Sequence, residues 1–218
     1  MKYKLVIFDL DGTLVDTIAD LGAAANAALA AKGLPQHAPE AFRGMVGHGV
    51  RNLMKQAMPE ALREDEQALD ALLEVFLAYY LEHIDERSHP YPGIPELLAE
   101  LSAAGVQLGV ASNKFQAGAA KLIGRMFPGI SFTAVLGGRP GVPLKPDPAV
   151  LDEIRARAGV SCTETVMVGD SGTDMATAER AGVAAIAVSW GFRTREQLGD
   201  APRIVDSVEQ LRDLLLAE

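Results

Sequence analysis

Uninterrupted runs of apolar residues recur along the chain and predict the strands of a buried sheet. The first run, residues 4–8 (KLVIF), is rich in β-branched and aromatic side chains, which is typical of a strand buried on both faces. Similar runs follow at residues 106–111, 132–136, 165–168 and 183–188. The segments between them carry apolar residues at helical spacing, such as Ile94, Leu97, Leu98 and Leu101. Because strands alternate with helices, the pattern predicts an α/β fold with a doubly wound parallel sheet.

The alternation is interrupted directly after the first strand. Residues 16–85 have helical character throughout, with an alanine-rich segment at 18–31 and an amphipathic run from Leu69 to Tyr80. A crossover between parallel strands needs only about a dozen residues, so this length predicts an inserted all-helical cap domain. We place the cap at residues 16–87 and the α/β core at residues 1–15 and 88–218. The linkers, residues 13–16 and 88–93 (SHPYPG), indicate a hinge and hence a lid over the sheet.

Charge and cysteine content narrow the classes of function. The 29 Asp and Glu exceed the 20 Lys and Arg and give a formal net charge of −9. Such a surface repels a nucleic-acid backbone, and no basic stripe offsets it, so nucleic acid is not an expected partner. The single cysteine, Cys162, excludes an internal disulfide and suits a reducing compartment. No apolar run is long enough for a signal peptide or a membrane span, so we expect a cytoplasmic monomer or homodimer without a membrane partner.

Two aspartates follow the first strand within residues 9–16 (DLDGTLVD). On an extended chain residues i and i+2 face the same side, so Asp9 and Asp11 are expected to point together while Leu10 points into the core. Adjacent carboxylates repel each other unless a cation or a shared proton relieves the repulsion. The alternative is an acidic turn in which Asp16 caps the next helix, and this alternative suits Asp16 better than the Asp9 and Asp11 pair.

A second acidic cluster follows a later strand, in residues 169–174 (GDSGTD). Ligands of open parallel sheets bind outside the carboxyl ends of the strands, so Asp170 is expected at the same edge as Asp9 and Asp11. Asp174 is expected on the first turn of the next helix, facing that edge, although an acid there can also serve only the helix dipole. Because these segments hold carboxylates and neither His nor Cys, the sequence predicts a Mg²⁺ site.

Two further loops are expected at this edge and offer groups that suit a phosphoryl ligand. Ser112 and Asn113 follow the strand at 106–111, and Lys145 lies in residues 144–148 (LKPDP). A hydroxyl, backbone amides and an ammonium group are suitable partners for phosphoryl oxygens. A Ser-Asn turn or a solvated lysine is the alternative for each, and the case for binding depends on their order after separate strands.

Taken together, these segments carry a family resemblance. Residues 9–16, 111–114 (ASNK), 144–148 and 169–175 resemble, in order and spacing, the four motifs of the haloacid dehalogenase-like phosphatases. The resemblance spans nearly the whole chain, and the helical insertion resembles the C1-type cap of that superfamily. Within it, residues 47–54 (GHGVRNLM) and 190–192 (WGF) are most similar to phosphoglycolate phosphatases.

The resemblance implies a mechanism in which Asp9 attacks phosphorus and forms an aspartyl phosphate. Asp11 would protonate the leaving group and then activate the hydrolytic water. Mg²⁺ would be held by the Asp9 carboxylate, the Asp11 backbone carbonyl and the Asp170 carboxylate. Ser112, Asn113 and Lys145 would bind the phosphoryl group, and Asp174 would orient Lys145 or the waters of the metal.

The function implied is a Mg²⁺-dependent phosphomonoesterase for a small phosphorylated metabolite, with 2-phosphoglycolate the first candidate. A β-phosphoglucomutase-like isomerase is the main alternative, because the same nucleophile can pass the phosphoryl group to a second sugar hydroxyl. A pyrophosphatase or nucleotidase shares the fold, and a non-enzymatic binding module is disfavoured by the intact carboxylate set. Substrate choice is expected from the cap, where Arg43, His48 and Arg51 are candidates to meet a small carboxylate.

Overall fold

The computed structural model describes residues 2–199 and 201–217. Met1, Asp200 and Glu218, which the predicted domain ranges include, lie outside the described residues. The strands are β1 (Leu5–Phe8), β2 (Val15–Asp16), β3 (His89–Pro90), β4 (Gln107–Phe115), β5 (Ala134–Gly138), β6 (Thr165–Gly169), β7 (Ala184–Val188) and β8 (Ile204–Val205). Six of them form one parallel sheet in the order β5-β4-β1-β6-β7-β8. The predicted parallel sheet is therefore confirmed, with β1 at its centre.

Helices cover both faces of this sheet and fill the segment between β2 and β3. They are α1 (Ile18–Ala31), α2 (Gly49–Ala57), α3 (Glu66–Glu82), α4 (Ile94–Ala103), α5 (Gln116–Met126), α6 (Ala149–Ala158), α7 (Gly172–Ala181), α8 (Arg195–Leu198) and α9 (Val208–Leu216). In the described ranges, none of these helices has the length and apolar character needed to cross a bilayer.

Strand β1 explains why the first apolar run has no polar interruption. Its four side chains are fully buried and alternate between two cores. Val6 and Phe8 belong to the core that includes α4, α5 and α9, whereas Leu5 and Ile7 belong to the core under α6 and α7. An extended strand turns successive side chains to opposite faces, so a strand covered on both sides must be apolar at every position.

Several strand boundaries differ from the sequence prediction, and the largest difference is at β4. β4 extends to Phe115 instead of ending at Ala111, so Ser112 and Asn113 lie within an irregular end of the strand rather than after it. The pairing of β4 with β5 shifts register between Ala111 and Phe115. This irregularity interrupts the regular apolar pattern from which the strand was predicted, so its end was placed too early. The two-residue strand β8 was not predicted, because so short a run carries no periodicity.

The helical insertion contains α1, α2 and α3, with a short 3-10 helix at Pro39–Gly44. The segments predicted to be linkers pair with each other, since β2 and β3 form a two-stranded antiparallel sheet. Buried side chains of the insertion, such as Leu53, Leu72 and Phe76, belong to the same core as Val6 and Phe8. The insertion therefore packs over one end of the sheet, while its division into a separate domain stays a prediction.

A buried carboxylate connects the two chain crossings at the base of the insertion. Asp20, in the first turn of α1, accepts hydrogen bonds from the backbone amide of Arg87 at 3.0 and 3.1 Å. It also accepts from the amide and the hydroxyl of Ser88 at 2.8 and 2.7 Å. Sequence reasoning missed this residue, because its partners are more than sixty positions away along the chain.

We expect Asp20→Ala to destabilise the protein by about 2–4 kcal/mol, because it leaves buried donors without acceptors. In a chain of this length the melting temperature falls by about 2–4 °C for each kcal/mol. Thermal unfolding measures the change. Asp65→Ala is the matched control, since Asp65 caps the exposed start of α3 through one amide, and its loss costs about 1 kcal/mol. Equal shifts in the two variants would show that Asp20 is an ordinary helix-terminal acid.

Candidate active site

The loop after β1 carries the first two carboxylates. Asp9 follows the strand directly, and its Oδ1 accepts a hydrogen bond from the Leu10 amide at 2.7 Å. Gly12 has a φ of +88°, and a Cβ placed there would lie 2.3 Å from Oδ2 of Asp170. Only glycine satisfies both constraints, so this residue lets the first loop approach the acid from β6 closely.

Two further carboxylates follow β6, the neighbour of β1 in the sheet: Asp170 in the loop after the strand and Asp174 in the first turn of α7. Asp9, Asp170 and Asp174 each place a carboxylate oxygen within 4.8 Å of the others. Oδ2 of Asp170 accepts from the Phe192 amide at 2.7 Å. Asp174 also serves as a helix cap, since it forms a reciprocal capping box with Ser171 at the start of α7.

Burial makes this group of carboxylates electrostatically unfavourable. Desolvation, reinforced by the charge of Asp174, raises the pKa of Asp9 to about 7 even though Lys145 lowers it. Desolvation and the charges of Asp174 and Asp9 raise the pKa of Asp170 to about 8. The ionised carboxylates therefore need more positive charge than the described side chains supply.

Lys145 supplies the positive charge nearest to this group. Its Nζ lies 2.6 Å from Oδ1 of Asp174, 2.9 Å from Oδ1 of Asp9 and 2.8 Å from the carbonyl oxygen of Ala111. Burial lowers the pKa of Lys145, but the charges of Asp174 and Asp9 more than offset this effect and keep the ammonium ionised. Lys145 and Asp174 lie behind Asp9 and do not line the cavity described below.

The side chain of Asn113 is committed to holding backbone. Its amide nitrogen donates to the carbonyl oxygens of Gly47 at 2.9 Å and Lys145 at 3.0 Å, and its Oδ1 accepts from the Lys145 amide at 2.8 Å. Because these contacts use both donor hydrogens, the side chain has no free donor for a phosphate. Asn113 instead fixes the Lys145 loop to β4 and to the insertion, which differs from the phosphate-binding role expected from sequence.

Asp11 occupies a different environment from Asp9. Its two carboxylate oxygens lie 2.9 and 3.2 Å from Nζ of Lys114, and Oδ1 also accepts from the Thr17 hydroxyl at 2.7 Å. Sequence reasoning assigned no role to Lys114, although it is the last residue of the ASNK segment. It is buried, and its ammonium lies 4.6 Å from the ring centroid of Tyr80.

A cavity lies between these groups and the insertion. Its polar wall contains Asp9, Asp11, Ser112, Asn113, Lys114, Asp170, Ser171 and Arg193. Its apolar wall contains Leu21, Val46, Val50, Leu53, Phe76, Phe115 and Phe192. The hydroxyl oxygen of Ser112 accepts from the Lys114 amide at 3.2 Å, which leaves its hydrogen available to a ligand. The structure thus gathers five of the predicted polar residues on one wall, namely Asp9, Asp11, Ser112, Asn113 and Asp170.

The three cap residues expected to select the substrate do not line this cavity. Arg51 forms exposed ion pairs with Glu66 and Asp70 on the surface of the insertion. Arg43 is exposed and stacks over the ring of Phe192, and His48 is exposed at the start of α2. A residue's position close to a sequence motif does not predict the direction in which its side chain points.

Arg193 is a second residue that sequence reasoning missed. Its guanidinium donates to the carbonyl oxygens of Arg43 and Val46 in the insertion. The preceding residue, Phe192, donates its amide to Asp170. This loop therefore contacts both the carboxylate group and the insertion, and its only sequence signal was the aromatic WGF segment just before Arg193.

The residues present suit a hard divalent cation. The ligand atoms near one another are carboxylate oxygens, with no sulfur or imidazole nitrogen in the group. Both oxygens of Asp174 are occupied, by Lys145 and by Ser171, whereas Asp9 and Asp170 face the cavity. A bound cation would offset the desolvation and the repulsion that together raise the pKa values of Asp9 and Asp170.

The fold and this site define a class: a doubly wound parallel α/β core with acidic residues at the carboxyl edge of its central strands. A model of the haloacid dehalogenase-like hydrolase family matches residues 6–188, and the chain belongs to that family. A phosphoglycolate phosphatase of Mesorhizobium japonicum is 37% identical, over 100% of this chain and 96% of its own length. Another, from Agrobacterium fabrum, is 39% identical over 86% of this chain and 81% of its own length. A crystal structure of a candidate phosphoglycolate phosphatase from Lactobacillus delbrueckii subsp. bulgaricus superimposes with a TM-score of 0.92 at 35% identity, covering 100% of both chains.

Proposed function

We propose that this protein is a Mg²⁺-dependent phosphomonoesterase that hydrolyses a small phosphorylated metabolite, 2-phosphoglycolate. The observation that carries the proposal is that two neighbouring aspartates lie in different environments. Asp9 is surrounded by other carboxylates and forms an ion pair with Lys145, whereas Asp11 pairs with Lys114 and accepts a hydrogen bond from Thr17. Both aspartates line the same cavity. A nucleophile and a separate proton-transfer group on one loop are what a two-step phosphoryl transfer requires.

In the first step Asp9 attacks phosphorus and forms an aspartyl phosphate, while Asp11 protonates the departing alkoxide. In the second step Asp11 takes a proton from water, and that water releases inorganic phosphate and regenerates Asp9. The hydroxyl of Ser112 donates to a phosphoryl oxygen. Lys145 orients Asp9 and offsets the negative charge gathered around the phosphoryl group.

The carboxylates of Asp9 and Asp170 and the backbone carbonyl of Asp11 would hold Mg²⁺. When bound, the cation supplies positive charge to the phosphoryl oxygens and so reduces repulsion between the acids and the substrate. Asp174 does not need to be a ligand, because its contacts with Lys145 and Ser171 position the lysine and the start of α7.

Phosphate release distinguishes this proposal from a mutase. The purified protein is assayed with Mg²⁺ on 2-phosphoglycolate, β-glucose 1-phosphate, pyrophosphate and a nucleoside monophosphate. We expect stoichiometric phosphate release and the largest kcat/KM for 2-phosphoglycolate. Isomerisation of glucose phosphate without net phosphate release would instead assign a phosphotransferase, and a larger kcat/KM for pyrophosphate or the nucleotide would change the substrate class.

Mg²⁺ is expected to stabilise the metal-free protein in a pH-dependent way. Saturation at about 100 times the dissociation constant adds about 2.7 kcal/mol, which raises the melting temperature by about 5–10 °C in a chain of this length. The pKa values of Asp9 and Asp170 are raised to about 7 and about 8, so protons compete with the cation at low pH. The shift should therefore be larger at about pH 8.5 than at about pH 6, as differential scanning fluorimetry can measure.

Asp170→Asn and Asp152→Asn serve as the pair of variants for this measurement. Asp170 faces the carboxylate group, whereas Asp152 is exposed and pairs with Arg155 on α6. The first substitution is expected to abolish the Mg²⁺ shift and the second to preserve it. A shift that survives Asp170→Asn would place the cation elsewhere.

A further inference from the structure

The cavity has one buried cation on its wall that the proposed mechanism does not use. Lys114 and Arg193 are the basic side chains that line the cavity among the described residues. The guanidinium of Arg193 is held by two carbonyl oxygens of the insertion. Lys114 is buried, with a side chain 2% exposed, and its only anionic partner in the described structure is Asp11. A buried ammonium is costly unless it is matched by negative charge, so its presence at a ligand cavity needs an explanation.

The ammonium of Lys114 retains capacity for a second anion. It has three donor hydrogens, and the carboxylate of Asp11 can occupy two of them, at 2.9 and 3.2 Å. The ring of Tyr80 also lies against the ammonium, with its centroid 4.6 Å from Nζ. The tyrosine hydroxyl is buried and lies close to the ammonium, but it is neutral and does not balance the positive charge. The third donor therefore has no anionic acceptor of its own.

The position of Lys114 relates it to the leaving group rather than to phosphorus. Lys145 contacts Asp9, which attacks phosphorus in the proposed mechanism, whereas Lys114 contacts Asp11, which protonates the departing oxygen in that mechanism. The neighbouring wall toward the insertion is apolar, with Val46, Val50 and Leu53. The guanidinium of Arg193 binds the carbonyl oxygen of Val46 at the edge of this wall, whereas Lys114 is the cation that contacts Asp11. A carboxylate one carbon away from the ester oxygen would lie on the Lys114 side of the cavity.

We infer that Lys114 is a specificity-determining residue that binds the carboxylate of the leaving group and so selects phosphorylated acids. The inference deepens the proposed function and depends on it. Without this ammonium, a substrate carboxylate would enter a buried space beside Asp11 with no cation in contact with that acid, which is strongly unfavourable. A neutral leaving group carries no such penalty. The preference of the enzyme for an acid over its neutral analogue therefore measures what Lys114 contributes.

Two substrates of nearly equal size isolate this contribution. In 2-hydroxyethyl phosphate, a hydroxymethyl group replaces the carboxylate of 2-phosphoglycolate. For the wild type we expect a kcat/KM that is about 100-fold larger for the acid, since loss of one partner of a buried charge pair has an effect of this order. Lys114→Gln removes the charge but keeps a donor for Asp11, and it is expected to reduce this ratio to within a few fold of unity. Lys114→Arg keeps the charge and should retain a clear preference for the acid.

Lys121→Met is the matched control. Lys121 lies on α5 and donates to the carbonyl oxygen of Leu81 in the insertion, away from the cavity. This variant should leave the ratio of the two kcat/KM values unchanged. The melting temperature of each variant is measured alongside. If Lys114→Gln does not fold, Lys114→Arg is compared with the wild type instead, and this variant should retain the preference for the acid.

A uniform loss on both substrates in Lys114→Gln would overturn the inference, because it would mean that Lys114 acts only by positioning Asp11. A wild-type enzyme that does not prefer the acid would overturn it too. Neither result would affect the phosphatase assignment, which depends on Mg²⁺-dependent phosphate release and on Asp9.

Discussion

Replacing Asp9 by asparagine is expected to lower Mg²⁺-dependent hydrolysis of an aryl phosphate by about 10⁴-fold or more, since loss of a catalytic nucleophile has an effect of at least this order. The amide keeps the size and the Oδ1 acceptor of the carboxylate but cannot form an acyl phosphate. The substitution also removes one buried negative charge from the group with Asp170 and Asp174, so the folded state should not lose stability. Steady-state phosphate release and the melting temperature measure the two effects.

Asp11→Asn is the informative comparison, because it leaves the nucleophile in place. It should permit formation of the aspartyl phosphate from an activated aryl ester, whose leaving group needs no proton, and then slow its hydrolysis. Intact-protein mass spectrometry after brief mixing with substrate is expected to detect a phosphoryl adduct in Asp11→Asn and none in Asp9→Asn. Activity of Asp9→Asn close to that of the parent would show that another group attacks phosphorus.

Lys145→Met is expected to have the second largest effect. Its ammonium contacts Asp9, Asp174 and the carbonyl oxygen of Ala111 in a buried site. Removing one electrostatic donor of this kind lowers kcat by about 10²–10³-fold. Leaving the two acids without their shared cation is also expected to destabilise the fold by about 3 kcal/mol. Steady-state kinetics and thermal unfolding report on these two quantities separately.

The double variant Lys145→Met with Asp174→Asn separates stability from catalysis. Neutralising Asp174 removes one of the two charges stranded by the lysine substitution, so much of the lost stability should return. Activity should remain low, because Asp9 still lacks its ammonium partner. If the double variant recovers activity together with stability, Lys145 acts only by supporting the fold.

The parts of the site that could be predicted from sequence are those that depend only on residues close together along the chain. Asp9, Asp11, Asp170 and Ser112 each follow or end an apolar strand, and parallel strands bring their carboxyl ends to one edge. The exact bounds of α1, Ile18–Ala31, were likewise visible, since an alanine-rich segment between polar ends has strong local helix propensity. Neither inference needed to know which strands are neighbours.

The residues that sequence reasoning missed act through partners distant along the chain. Lys114 contacts Asp11 across 103 positions, and Asp20 accepts from Ser88 across 68. Arg193 contacts Val46 across 147. No local period or composition distinguishes such residues from solvated ones. The three cap residues that were expected to contact the substrate were predicted but do not line the cavity. Their position near a motif does not fix the direction of their side chains.

The sequence by itself determined the alternation of strands and helices, the helical insertion and the acidic residues at strand ends, because propensity and apolar periodicity are properties of neighbouring residues. Only the tertiary structure decided the strand order, the pairing of β2 with β3 and the assignment of one buried lysine to each of the first two aspartates. Those features depend on which side chains are buried next to one another in the folded protein. A buried charge must find its partner wherever the fold places one, and that partner is chosen in space, not along the chain.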